Sequence, residues 1–155
     1  MNPKEKLFWS IAFPGFGQFL NGKFLKGIVL LALEIIINNR SKFNEIIILS
    51  FHGKIEEAIN RVDYQWLMFY PCIYFFAIWD AYRDAGGGKD PYSFLPFVFC
   101  AYFVTVGTIF SSSFSIFGIL PGPIWLPMIC VIPGIFSGNI IKHLLVKRQY
   151  VKKGN

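Results

Sequence analysis

Three carboxylates are spaced or placed to do chemistry, and one of them, Glu34, lies well inside an apolar stretch. Glu34 sits in the run LLALEIII, where a carboxylate is placed to bind a proton or cation along a transport path. It also precedes Asn38 by four residues, within reach of a membrane interface or of Arg40. Asp80 and Asp84 are spaced i,i+4, so they share one helix face, and two carboxylates so placed can hold a divalent ion. No third ligand accompanies them, and the following GGGKD lacks the phosphate-cradling G-x-x-x-x-G-K-[ST], so the pair reads as a helix end carrying solvated charge. Pro14, Gly15, Gly17, Gln18, Asn21 and Gly22 interrupt an apolar block. A helix broken there would offer carbonyls and helix ends to an ion or solute. The same residues also serve packing: glycines let helices approach, and Gln18 and Asn21 can satisfy backbone groups freed by Pro14. Gly134 and Gly138 form G-x-x-x-G, which suits close packing within a bundle or against a second copy.

Other chemistry is poorly represented. His52 and His143 have no ligand-spaced partners, and no G-x-S-x-G or H-E-x-x-H arrangement occurs. Cys72, Cys100 and Cys130 lie in apolar blocks without a C-x-x-C pair and read as small hydrophobes in helix contacts. The expectation is a non-enzymatic chain with no metal and no cofactor.

The elements that must position these residues are membrane helices. Of 155 residues, 54% are hydrophobic, 19% aromatic and only 15% charged, which fits a bilayer better than water as solvent. Apolar blocks begin near Leu7, Phe24, Trp66, Phe94 and Ile124, and no sustained period-two alternation suggests a barrel. The basic, apolar start MNPKEKLFWSIAF has no A-x-A-like site after it, so it reads as retained structure rather than a secretory signal. The net charge of +6 comes largely from Lys142, Lys147, Arg148, Lys152 and Lys153. A juxtamembrane basic tail belongs in the cytoplasm, against anionic headgroups at about 1 kcal/mol per residue, and this accounts for the charge without nucleic acid.

Leu7–Leu20 and Phe24–Ile37 each hold 14 residues, about 21 Å of helix, short of a ~30 Å hydrocarbon core. They form either two short spans joined at Asn21-Gly22 or one broken span; the turn dipeptide, and the cost of placing Lys23 and Lys26 mid-membrane, favour two. Residues 39–65 carry Phe43, Ile47, Phe51, Ile55, Ala58, Ile59 and Val62 at helical spacing. They predict one amphipathic helix, kinked at Gly53, lying in the headgroup plane or covering the bundle mouth. Trp66–Trp79, Phe94–Phe110 and Ile124–Leu145 supply the remaining spans, with Gly86 ending the first of them and an irregular hairpin at 111–123. The fold class is thus an all-α polytopic bundle of four to five spans. Residues 1–85 form a hairpin module with its insertion, and 86–155 form two further helices and the tail. Five spans place Lys and Arg nine to six in favour of the cytoplasm, and four spans nine to four. Both put the carboxyl terminus inside.

Pro14, Gly15, Gly17, Gln18, Asn21-Gly22 and Lys26-Gly27, followed by Asp80, Ala81 and Tyr82, resemble the P-G-x-G-Q-x-x-N-G region of bacterial two-transmembrane-hairpin (TM-two) domain proteins. The resemblance spans roughly residues 7–85. It implies a hairpin module in a bacterial cytoplasmic membrane and little about activity, since most bacterial members have none assigned. The long insertion and two extra spans depart from the simple pattern. The expected role is a structural or interaction component whose partners are lipid, a second copy or another membrane protein. The alternative is a small transporter or channel-like subunit using the broken block and Glu34.

Overall fold

The structure, a computed structural model, describes residues 2–153 and the side chains of residues 2–149. The Lys152 and Lys153 side chains of the basic tail lie outside the described residues. The described chain is all-α; apart from helices it holds a single antiparallel bridge, Ile116 to Ile119, in the expected hairpin.

Helix α1, Pro3–Ala12, starts on a capping box. The Asn2 side chain accepts from the Lys4 N–H at 3.1 Å, the Glu5 carboxylate accepts from the Asn2 N–H at 3.2 Å, and Pro3 occupies the first turn, where no N–H is needed. The helix stops at Phe13, which is extended, and Pro14 has no N–H to continue it. Gly15, at φ +100°, turns the chain into α2, Phe16–Leu20. A side chain there would be strained, and its Cβ would stand 2.9 Å from the Gly27 carbonyl oxygen. Bonds from Lys23 N–H to Gln18 O and from Gly22 N–H to Phe19 O, both 2.9 Å, close α2 and lead into α3, Phe24–Ser41.

These contacts revise the reading of the first block. The Tyr74 hydroxyl donates to Ile11 O at 2.7 Å, whereas Asn21 Nδ2 reaches Ala81 O and Lys6 Nζ reaches Asn21 Oδ1. Lys6 and Asn21 therefore lie at one level and Ile11 deeper, so α1 enters the bundle, breaks at Pro14-Gly15, and α2 returns to the end from which α1 came. Leu7–Leu20, expected as one segment, is thus two short helices folded back on each other, and the turn at Asn21-Gly22 leads into α3 as expected.

The stretch predicted as one amphipathic helix is three: α4, Phe43–Phe51, α5, Ile55–Arg61, and α6, Tyr64–Leu67. The apolar periodicity is real, but Gly53 takes φ +75° and reverses the chain, with Lys54 N–H bonded to Leu49 O and Gly53 N–H to Ser50 O. Arg61 Nε and Glu45 Oε1, 2.9 Å apart, tie α4 to α5. Ile46 and Ala58 are fully buried with Leu67 and Ile124, so this segment covers one end of the bundle.

Helix α7, Tyr70–Asp84, begins with Pro71 in its first turn and ends at Gly86, which is left-handed as expected. It starts four residues later than predicted and extends past Trp79 as far as Asp84, just before the glycines. Helix α8, Leu95–Phe110, packs antiparallel on α9, Gly122–Lys153, which carries Pro127 and Pro133 internally. Over Gly122–Gln149, α9 is long and apolar enough to cross a membrane; α8 is apolar but shorter.

Candidate functional site

The side chains singled out from the first block converge on the last turns of α7. Gln18, on α2, is wholly buried; its Nε2 donates to Ala77 O at 2.8 Å and to Asp80 Oδ2 at 3.2 Å. Asn21 Nδ2 donates to Ala81 O at 2.8 Å, and its Oδ1 accepts from Lys6 Nζ at 2.7 Å. Lys26, one turn into α3, reaches across to Asp80 Oδ1 and Asp84 Oδ2, each at 2.8 Å. Arg83 adds a longer contact to Asp80 at 3.6 Å. Four helices thus meet in one network of charge-assisted and amide bonds.

Gly17 makes this convergence sterically possible. A Cβ at that position would run into the Ser10 hydroxyl, stand 2.6 Å from the Ala81 Cβ, and 2.9 Å from Lys6 O. Only glycine lets α2 lie against both α1 and α7 closely enough for Gln18 to touch the α7 backbone.

Two expectations are corrected here. The Asp80 side chain is 3% exposed and that of Asp84 16%, so the pair is not a solvated helix end; Lys26, at 45%, is its wetter partner. The i,i+4 spacing did put both carboxylates on one face, but the face receives an ammonium group. Among the described residues no group of three or more His, Cys, Asp or Glu is arranged to hold a metal. Gln18 and Asn21, for their part, bond to carbonyls near the end of α7 rather than to backbone freed by Pro14. Gln18 Oε1 is buried with no hydrogen-bond partner.

Glu34 lies apart from this network. It is buried in α3 near the Tyr70 side chain, whose ring packs on Phe43 at 4.4 Å. It does not pair with Arg40, whose guanidinium lies 5.8 Å from the Trp66 ring centroid. Gly134 and Gly138 are likewise elsewhere: added Cβ atoms would meet Cys100 Cα at 2.8 Å and Pro96 Cα at 2.5 Å, so the G-x-x-x-G face is filled by α8. Lys26 is the functional residue that sequence reasoning misplaced. It counted as a topology-setting cation, and the signal for its role was the like-charged pair at i,i+4 that needed a counterion. No protein-family model, curated protein or solved structure matches this chain.

Proposed function

We propose that this chain is a multi-pass protein of a bacterial cytoplasmic membrane, acting there as a non-catalytic structural or interaction component. In this reading α3, α7, α8 and α9 cross the bilayer, and α1–α2 dips in and returns on the cytoplasmic side. Large apolar side chains exposed along α3 and α9, Leu25, Ile28, Ile132 and Phe136 among them, then face lipid. The re-entrant break is sheltered as membrane-depth irregularity requires, with Pro14, Gly15, Gly17 and Gln18 all buried. The shorter helices α7 and α8 are accommodated by local thinning and by interfacial aromatics such as Trp66 and Trp79.

This topology removes the conflict between the amino-terminal lysines and those of the first turn. Lys4, Lys6, Lys23, Lys26, Arg83, Lys89, Lys142, Lys147, Arg148, Lys152 and Lys153 fall on the cytoplasmic side, and Arg40, Lys42, Lys54 and Arg61 on the other. The observation that carries the functional reading is the polar network itself. Lys26, Asn21 and Gln18 Nε2, the donors best placed to meet a solute, are already bonded to α7. The resemblance to TM-two domain proteins agrees, since its signature residues are those that build this join. The burial of Glu34 favours a transport role as the second reading.

Single cysteines in a background lacking Cys72, Cys100 and Cys130 test the topology. Pro3→Cys, Gly22→Cys, Lys89→Cys and Gln149→Cys should react with a membrane-impermeant maleimide from one side and His52→Cys from the other. Opposite sidedness of positions 3 and 22 would overturn it. For the role, crosslinking in membranes should recover the same partner, or a second copy, reproducibly.

A further inference from the structure

Because α1–α2 penetrates only part of the bundle, it leaves space beyond its tip. A cavity of about 420 Å³ fills that space, with Ile11 and Ala12 beneath it, Phe43 and Phe51 of α4 above it, and Tyr74 and Met128 of α7 and α9 at its sides. Its volume is that of a small-molecule site rather than a packing defect. Its lining carries no charged side chain, and two of its hydroxyls are already engaged: that of Tyr74 donates to Ile11 O and that of Thr108 to Val104 O at 2.9 Å. Such a chamber gives ordered water few partners and suits hydrocarbon.

The mouth indicates where the hydrocarbon comes from. Leu67 and Ile124 at the base are buried, whereas Ile11, Phe51 and Met128 at the rim are exposed. Met128 begins a ridge on α9 that continues through Ile132, Phe136, Ile140 and Leu144, each more than half exposed and four residues from the last. That spacing keeps them on one stripe of the helix, about 24 Å long. The stripe therefore runs unbroken from the chamber mouth along the surface assigned above to lipid.

We infer that the chamber beyond the α1–α2 tip holds one acyl chain of a phospholipid from the leaflet opposite the two termini. The inference rests on the membrane topology proposed above. The chain completes the outer half of the bundle where the re-entrant pair stops short, and its headgroup stays outside, because the chamber has no charged side chain to receive it.

The test reconstitutes the full chain in vesicles of phosphatidylethanolamine and phosphatidylglycerol doped with phosphatidylethanolamine bearing a mid-chain diazirine. After photolysis, adducts are mapped by mass spectrometry. Adducts should appear on the chamber residues Tyr74, Thr108 and Ile124 as well as on the outer ridge at Ile132 and Phe136. Ala12→Trp, at an exposed position under the floor, should cut the chamber adducts at least fivefold and leave the ridge adducts unchanged; Met128→Trp, at the rim, should do the same. Adducts confined to the ridge, or chamber adducts that neither variant reduces, would overturn the inference. Release of the wild-type chain from membranes by alkaline carbonate would instead overturn the topology on which it rests.

Discussion

Helix α7 is joined to the first three helices through amides and charges, and α8 is joined to α9 through the absence of side chains. On the α7 side, Lys26, Gln18 and Asn21 each cross between elements to reach a carboxylate or a carbonyl. On the α8 side, Gly107 sits on Cys130, Gly134 on Cys100 and Gly138 on Pro96, with no ion pair between the two helices among the described residues. Two apolar helices in lipid gain little from hiding apolar surface, so association comes from close van der Waals contact or from interhelical hydrogen bonds. Polar bonds dominate the first join and close contact the second, although Gly17 also brings α2 against α7 and the Cys100 thiol donates to Val131 O at 3.8 Å across the second. The difference follows from geometry: α8 and α9 are long enough to share a seam, whereas α2 has five residues and holds its place through directional bonds.

The comparison breaks most readily at Asp80. Asp80→Ala removes the buried carboxylate that holds Lys26 and Gln18, and we expect a loss of about 3 kcal/mol, the low end for a buried pair because the Lys26 head is partly wet. The measurement is thermal unfolding in mild detergent. Replacing both partners, Lys26→Met with Asp80→Leu, should recover part of the loss, since the buried carboxylate and its lysine go together and only the wetter Asp84 is left without its partner. A double variant no more stable than Asp80→Ala would show that the charges themselves are not what joins these helices.

Gly138→Leu attacks the other join, and there the expected cost is about 2 kcal/mol of overpacking, because the obstacle is the Pro96 backbone rather than a movable side chain. The join is internal, so the oligomeric state by light scattering should not change even as stability falls. Dissociation of a dimer on Gly138→Leu would assign the motif to a contact between copies. Asn21→Ala is milder. It removes the bonds to Ala81 and Lys6, and about 1 kcal/mol should be lost, since polar contacts between membrane helices average somewhat below that.

The two joins were not equally legible in the sequence. Glycines at 134 and 138 announce a close-packed face by local spacing alone, and Gly86 marks the end of α7 in the same way. Lys26 and Asp80 are 54 positions apart, and charge bias along a chain cannot distinguish a lysine that sets topology from one that neutralises a distant carboxylate. The fold-back at Pro14-Gly15 was hidden for a related reason. Leu7–Leu20 and Phe24–Ile37 match in length and greasiness, and what separates them is that Gly17 and Gln18 fit the surface of α7, a property of two segments together. In residues 39–65 the helical periodicity survives the break at Gly53, because each short helix turns the same kind of face toward Ile124. Periodicity found Ala58 and the partly buried Phe43, Ile47 and Val62, but it passed over Ile46, which is fully buried, counted Phe51, which is 63% exposed, and gave the wrong number of helices.

Glu34 sharpens the comparison from the opposite direction, as a buried carboxylate that neither device uses. It has no ion-pair partner among the described residues, and the hydroxyl beside it is the neutral one of Tyr70. Glutamine has nearly the same shape and keeps an acceptor for that hydroxyl, so Glu34→Gln should change stability by less than about 1 kcal/mol, where Asp80→Ala is costly. That near-neutrality makes the variant a clean probe of transport, because any change in flux would be separable from unfolding. In vesicles loaded with a pH-sensitive dye, a structural role leaves wild type and Glu34→Gln alike in proton and cation leak. A wild-type flux abolished by Glu34→Gln in a fully folded protein would move this carboxylate from packing to mechanism, and α3 with it.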